Sequence, residues 1–206
     1  MLLGLALVLV LLWPLIPADR TNVFRDSIVL WIPTNVVLRD ALTEPKVPEW
    51  DSTQFMGVPF LANPSTQSLY PLRWVAVLVT SDPAKANDAF ALMHLLLALL
   101  GGVALGRELG LDPAPRRVLA LTYTLGGPFL SLLGNPVYLG GAAWLPFALA
   151  WILRARRKAP GGDWSSARAL GLAAVGLTLP FYCGDAQTSG WLALLTVVIF
   201  LAPRRG

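Results

Sequence analysis

Residues 86–108 read ANDAFALMHLLLALLGGVALGRE, a stretch of 23 residues whose charged side chains stand only near its two ends. A helix needs about 20 predominantly apolar residues to cross the hydrocarbon core of a bilayer. The stretch meets that requirement in both length and composition. It therefore predicts a membrane-spanning helix, and it sets the fold class of the chain.

Five further apolar stretches, each 14 to 17 residues long, lie at residues 1–17, 117–133, 137–153, 167–183 and 189–202, and Gly126, Gly127 and Pro128 predict a kink in the second of them. The chain as a whole is 55% hydrophobic and 14% charged, whereas soluble domains carry about 25% charged residues. We therefore predict an all-α, polytopic integral membrane protein with about six transmembrane helices. Its first partner is the lipid bilayer.

The chain divides into three parts: a first transmembrane helix at 1–17, a long extracytoplasmic loop at 18–85, and a bundle of about five helices at 86–206. Residues 1–17 lack the basic start and the good cleavage site of a secretory signal peptide. A retained helix is therefore favoured over a cleaved signal.

Two apolar segments interrupt the long loop. Residues 27–42 carry apolar side chains near helical spacing and predict a helix on the membrane surface, broken or kinked at Pro33. Residues 69–80 are too short to span and predict a second surface or re-entrant helix.

The basic residues are concentrated in the short connections. Residues 107–117, 154–168 and 204–205 together hold ten Lys or Arg and three Asp or Glu, whereas the rest of the chain holds six and nine. Basic short loops face the cytoplasm. The predicted topology has a cytoplasmic N-terminus and an outward-facing long loop in the cell inner (cytoplasmic) membrane. Because the excess of basic residues lies in these short loops, the net charge of +4 does not indicate a nucleic-acid partner.

Few residues of the spans carry chemistry. Cys183 is the single cysteine and His94 the single histidine, which excludes an internal disulfide and argues against a His- or Cys-rich metal site. An intramembrane histidine is a functional candidate, but a hydrogen bond between helices is the favoured reading of His94. Gly102, Gly106 and Gly110, with Ala98 one step earlier, form a small-residue stripe that predicts close approach of another helix.

Asp26 lies about nine residues after the first apolar stretch, at the start of the predicted surface helix. A carboxylate just outside the hydrocarbon can act as a general base or hold a divalent cation. The alternative is an acid favoured at a helix N-terminus by the helix dipole.

Other loop residues are weaker candidates. The arginines Arg20, Arg25 and Arg73 can clamp a phosphate, and pairing with neighbouring acids is the favoured alternative. Asp51 is expected to be solvated beside Trp50, with substrate binding or catalysis as the alternative. Asp185 and Gln187 cap an outward turn and can either line a pocket or form an ordinary polar turn.

The order of several short motifs resembles the N-terminal part of the YfhO-like bacterial membrane proteins, which are related to polytopic glycosyltransferases of the GT-C architecture. These motifs are RD at 25–26 before a surface helix, PEWD at 48–51, GVPFLANP at 57–64 and YP at 70–71. The later turn GDAQT at 184–188 is similar to a Gly-His-Pro-Gln-type turn of that family, with Asp185 and Ala186 in place of histidine and proline.

The resemblance implies a glycosyltransferase that uses a polyprenyl-phosphate-linked sugar on the outer membrane face. It implies that Asp26 is the catalytic or metal-binding residue, with Mg²⁺ or Mn²⁺ as the possible cation. GT-C proteins have about twice as many spans, so the chain is expected to be an N-terminal portion that works with a downstream C-terminal half or another membrane subunit. The alternative is a non-catalytic subunit, remnant or scaffold that binds lipid or glycan.

Overall fold

The structure is a computed structural model that describes residues 20–21, 25–43, 48–54 and 56–203, with residue 25 described in its backbone only. The predicted first span at 1–17 lies outside the described residues. In the described part of the chain the α-helices are α1 (Trp31–Thr43), α2 (Pro71–Leu78), α3 (Pro83–Glu108), α4 (Pro113–Leu125), α5 (Gly127–Leu130), α6 (Pro136–Lys158), α7 (Trp164–Tyr182) and α8 (Ala186–Leu201).

The described residues form an all-helical fold, in which the one isolated β-bridge pairs Asp51 with Val58. Two helical segments are long and apolar enough to cross a membrane: α3, and α6 together with the short turn that follows it, Pro136–Gly161. The shorter α8, Ala186–Leu201, is also apolar. The prediction of an all-helical chain is therefore confirmed for the described residues, and two of the predicted spans have the dimensions of transmembrane helices.

The predicted span at 117–133 is wrong as a single helix. Helix α4 ends at Leu125, Gly126 is extended with φ −66° and ψ 145°, and α5 begins at Gly127. Pro128 has no N–H with which to continue the α-helical hydrogen bonding. The glycine and proline therefore end the helix where the sequence predicted only a kink.

The predicted break at Pro33 is also wrong. Helix α1 begins at Trp31, which places Pro33 in its first turn. The N–H groups of a first turn have no partner within the helix, so a proline there removes no helical hydrogen bond. Pro33 therefore lies inside a continuous surface helix.

Small residues let the long helices approach one another closely. A Cβ atom at Gly102 of α3 would lie 2.7 Å from the Cα of Ala120 in α4, and one at Gly176 of α7 would lie 2.8 Å from the Cα of Ala148 in α6. Both distances are too short for any side chain. The first contact confirms the close approach that the small-residue stripe of α3 predicts.

The two loop helices cover one end of α3. Leu38 of α1, Phe60, Val77 of α2 and Ala86 of α3 form a buried cluster. This cluster holds α1 and α2 against the first turns of α3. We call α1, α2 and residues 48–70 the cap, and the candidate site lies beneath it.

Candidate functional site

Arg73 is the most unusual residue beneath the cap. It projects from the first turn of α2, and its exposed fraction is 0%. Its guanidinium carbon lies 5.1 Å from the centre of the Phe90 ring and 5.8 Å from that of the Trp31 ring. Nη2 donates a long hydrogen bond of 3.4 Å to the carbonyl of Trp31. Aromatic faces thus provide most of the surroundings of this cation.

The remaining donors of Arg73 have no partner. Nε and Nη1 are buried, and none of the described residues accepts a hydrogen bond from them. The expectation that Arg73 pairs with a neighbouring acid is therefore wrong for the described residues. Burial lowers the pKa of the guanidinium from 12.5 to about 9, because the charged form is the one that loses solvation. The group is still a cation at neutral pH.

Three further polar atoms on α1 and α3 are also unsatisfied. Trp31 Nε1, Asn35 Oδ1 and Asn87 Nδ2 are buried without a hydrogen-bond partner among the described residues. Asn35 Nδ2 donates to Asn87 Oδ1 at 3.0 Å and to the carbonyl of Pro83 at 2.7 Å. We call Trp31, Asn35, Arg73 and Asn87 the polar junction, since these contacts join α1, α2 and α3.

Backbone spacing brings the polar junction together. Asn35 lies one turn after Trp31 on α1, and Phe90, which stacks under Arg73, lies nearly one turn after Asn87 on α3. More than nine in ten buried polar groups in proteins have a hydrogen-bond partner. The two unpartnered nitrogen atoms of Arg73 and the unsatisfied donors Trp31 Nε1 and Asn87 Nδ2 are groups that a bound anion would satisfy, and phosphate oxygens are the acceptors that arginine favours.

A second buried group lies deeper, where α3 meets α6. Tyr70 Oη lies 2.7 Å from His94 Nε2, and Trp144 Nε1 donates to Tyr70 Oη at 2.8 Å. His94 Nδ1 lies 2.7 Å from the carbonyl of Phe90. The histidine is thus hydrogen-bonded between structural elements, as the sequence analysis favoured. Since all its polar atoms are used, this group holds the cap to the long helices.

Gln67 hydrogen-bonds the cap to the start of α6 and to the residue that follows α7. Its Nε2 donates to the carbonyl of Pro136 at 3.1 Å and to that of Cys183 at 2.8 Å. The positive φ of Gly184, +87°, leaves the glycine against the carbonyl of Pro64, where a Cβ would lie 2.8 Å away. The turn after α7 therefore packs directly on the cap.

Asp185 is a helix cap in the structure. It is 2% exposed and accepts hydrogen bonds from Thr188 N at 2.9 Å and Thr188 Oγ1 at 2.6 Å. A Cβ at Gly141 would meet its Oδ2 at 2.0 Å, so the carboxylate lies against α6. Gln187 is exposed. Asp185 thus forms an ordinary polar turn, which is one of the two alternatives that the sequence left open. No described contact joins Asp185 or Gln187 to the polar junction.

The expectation that Asp51 is solvated is wrong. Its exposed fraction is 3%, and Oδ1 accepts hydrogen bonds from Thr53 N at 2.8 Å and Thr53 Oγ1 at 2.6 Å. Gln54 Nε2 donates to Oδ2 at 3.0 Å. A turn in which the side chain bonds to backbone two residues on is a common use of aspartate. Asp51 shapes the turn that Val58 closes.

Asp26 lies at the edge of the cap. It is exposed and stands in a 3-10 turn, Arg25–Ser27, just before α1. The side chain of Arg25 lies outside the described residues. Within the described part of the chain, no three His, Cys, Asp or Glu side chains are grouped so as to hold a metal ion. The divalent cation at Asp26 stays a prediction.

Sequence reasoning named Arg73 but missed the other members of the polar junction. Trp31 and Asn35 carry a weak signal, because they lie one turn apart on the same face of α1. Asn87 has no such signal, since an amide in the first turns of a span resembles an interfacial residue. Only the packing of α1 and α2 on α3 shows that these side chains meet.

Comparison with known proteins supplies no relative. No protein-family model, no curated protein and no solved structure matches the chain.

Proposed function

We propose that the protein is a membrane glycosyltransferase of the GT-C type, or the N-terminal portion of one, that uses a polyprenyl-phosphate-linked sugar on the outer face of the cell inner membrane. In this proposal the chain has about six spans and a cytoplasmic N-terminus. The cap then faces outward, and a downstream half or another membrane subunit completes the enzyme. The resemblance of the cap motifs to YfhO-like proteins supports the same assignment.

The observation that carries the proposal is the buried Arg73 with two unpartnered nitrogen atoms. An isolated buried cation is costly, and the cost is removed only when an anion supplies charge and hydrogen-bond acceptors. The site lies under surface helices at the end of an apolar helix, α3, so its natural anion is one delivered from the membrane plane. The phosphate of a lipid-linked sugar has that charge and that location.

The proposed reaction assigns separate roles to Arg73 and Asp26. The carboxylate of Asp26 takes the proton from an acceptor hydroxyl as the hydroxyl oxygen forms a bond to the anomeric carbon of the donor sugar. The bond between that carbon and the phosphate oxygen breaks, and the leaving phosphate keeps the electron pair. Arg73 stabilises the charge that develops on the phosphate.

A second candidate function is a non-catalytic subunit or scaffold that binds lipid phosphate or glycan. Asp51 and Asp185 favour it, because both carboxylates are occupied by hydrogen bonds within their own turns. Asp26 is therefore the one loop acid to which the proposed reaction assigns a chemical role. The transferase and a scaffold that binds lipid phosphate both require phosphate binding beneath the cap, and they differ in whether sugar is transferred.

Binding of polyprenyl phosphate to the purified full chain tests the requirement that both functions share. Arg73→Gln removes the cation of the polar junction, whereas Arg107→Gln removes an exposed charge from the opposite end of α3 as the matched control. We expect the first variant to lose binding by about 10- to 100-fold, because hydrogen bonds to charged groups contribute about 1.5–3 kcal/mol. The control is expected to bind like the parent. Equal binding by all three proteins would remove the phosphate site.

A further inference from the structure

A second polar site lies at the other end of the helical bundle, away from the cap. A cavity of about 280 Å³ opens between the last two turns of α6 and the first two turns of α7. Its lining consists of Arg154, Lys158, Ser165, Arg168, Ala169 and Leu172. Three cations therefore share one small cavity with two apolar residues.

The close contact of α6 with α7 positions this cavity. Gly176 lies against Ala148, so the two helices touch near their middles. Toward the connection between them, Lys158 of α6 and Arg168 of α7 line the same cavity. We call its basic residues Arg154, Lys158 and Arg168 the rim, and Ala169 and Leu172 supply its apolar lining.

The charges of the rim are only partly neutralised. Arg154 Nε pairs with Glu108 Oε1 at 2.9 Å, and Arg157 pairs with the other oxygen of the same carboxylate. Lys158 and Arg168 form no ion pair with the residues that the structure describes. Asp163 is the nearest acid along the chain, and it caps α7 through Ser165 and Ser166. The cavity therefore keeps a positive balance.

The cavity also has the position of a headgroup site. Helix α6 belongs to one of the two segments long and apolar enough to span a membrane, and Arg154 and Lys158 stand at its basic end. Trp164, 84% exposed, stands at the start of α7, as tryptophan does at membrane interfaces. Basic pockets between membrane helices bind the headgroups of anionic lipids.

We propose that this cavity binds the headgroup of an anionic phospholipid, with Lys158 and Arg168 contacting the phosphate and Leu172 beside the start of an acyl chain. This site is independent of sugar transfer. It lies at the C-terminal end of α6, whereas the cap contacts the N-terminal end of that helix at Pro136. A phospholipid bound there would hold this end of the helical bundle to the membrane leaflet on the side of the basic loops.

Native mass spectrometry of the delipidated full chain in detergent tests the proposal, with phosphatidylglycerol and phosphatidylcholine of matched chain length as probes. Lys158→Gln/Arg168→Gln removes two rim cations. Arg107→Gln/Arg117→Gln removes two exposed cations outside the cavity and is the matched control. Each juxtamembrane cation contributes about fivefold to anionic-lipid affinity, so the first double variant is expected to bind phosphatidylglycerol about 25-fold more weakly.

The expected pattern is retention of phosphatidylglycerol by the parent and the control, weak retention of phosphatidylcholine, and loss in Lys158→Gln/Arg168→Gln. The charge-conserving variant Lys158→Arg/Arg168→Lys is expected to keep binding, which separates charge loss from misfolding. Equal retention of both lipids, or unchanged binding by Lys158→Gln/Arg168→Gln, overturns the proposal. Displacement of the lipid by an equal concentration of inorganic phosphate also overturns it, because the cavity would then be a site for a soluble anion.

Discussion

The hydroxyl of Tyr70 lies 2.7 Å from Nε2 of His94 and links the start of α2 to the middle of α3. His94 Nδ1 faces the carbonyl of Phe90 and so carries the proton, which leaves Nε2 to accept from Tyr70. Tyr70 in turn accepts from Trp144 of α6. One hydroxyl therefore joins the cap to both long helices.

Tyr70→Phe removes that hydroxyl and leaves Trp144 Nε1 and His94 Nε2 buried without a partner. We expect a loss of about 1–3 kcal/mol in the free energy of unfolding for each unsatisfied group. Thermal unfolding in detergent measures it. Tyr138→Phe removes a hydroxyl from a residue that is 46% exposed and is the control. If both variants unfold at the parent temperature, the hydroxyl does not hold the cap in place.

Arg73→Met replaces the buried cation by an apolar chain of similar length. Exchange of a buried charge for a packed apolar group is neutral or stabilising by about 1–4 kcal/mol, so we expect an unchanged or raised Tm together with loss of polyprenyl phosphate binding. Arg39→Met is the contrasting variant. Arg39 donates to the carbonyls of Val77 and Thr80 at the end of α2, so its loss is expected to lower Tm.

A lower Tm for Arg73→Met than for Arg39→Met would contradict this account. It would mean that Arg73 stabilises the ligand-free fold, in which case its unpartnered nitrogen atoms would not indicate a missing anion.

Affinity for polyprenyl phosphate is expected to depend on pH through Arg73. Burial lowers the pKa of its guanidinium to about 9, so above that pH the empty site must take up a proton before it binds an anion. We expect about tenfold weaker binding at pH 10 than at pH 8. Between pH 9 and 12.5 the unfolded chain holds more protons than the native state at this group, so the stability of the empty protein rises with pH.

The same titration of Arg73→Gln is the control, since glutamine has no proton to lose. An affinity that does not change between pH 8 and pH 10 in the parent would exclude Arg73 as the anion-binding cation.

Cysteine labelling tests the predicted orientation of the cap. Cys183 is buried, which makes the native thiol a weak background. Glu49 and Trp164 are both exposed, whereas the buried Asp51 is a poor labelling position. We expect Glu49→Cys to react with a membrane-impermeant maleimide in intact cells and Trp164→Cys to react only after permeabilisation. The reverse pattern would place the cap in the cytoplasm.

The hydrophobic pattern predicted helix positions well and side-chain environments poorly. Residues 86–108 were expected to be helical, and α3 differs only in beginning at Pro83, because a long apolar run leaves few alternatives. The break at Gly126 was missed, since a kink and a stop have the same Gly-Pro signature. Helix boundaries thus follow from local chemistry, except where glycine and proline allow two outcomes.

The environments of Arg73 and Asp51 were predicted incorrectly for a different reason. Both were expected to be solvated or paired because they lie in a polar loop, but the loop folds into a cap that buries them. Burial of a loop residue depends on contacts with helices that are distant in sequence. No local pattern around Arg73 indicates that Phe90 and Trp31 lie beside it.

Sugar transfer from a polyprenyl-phosphate-linked donor tests the central claim most directly. The purified chain is assayed alone and with any downstream membrane partner, beside Asp26→Asn. The account predicts transfer by the parent in at least one of these forms, and a rate about 10²- to 10⁴-fold lower for Asp26→Asn at unchanged Tm, because it assigns the role of general base to this exposed carboxylate. Absence of transfer in both forms by a folded protein that still binds the lipid phosphate would contradict the enzyme and leave the non-catalytic subunit.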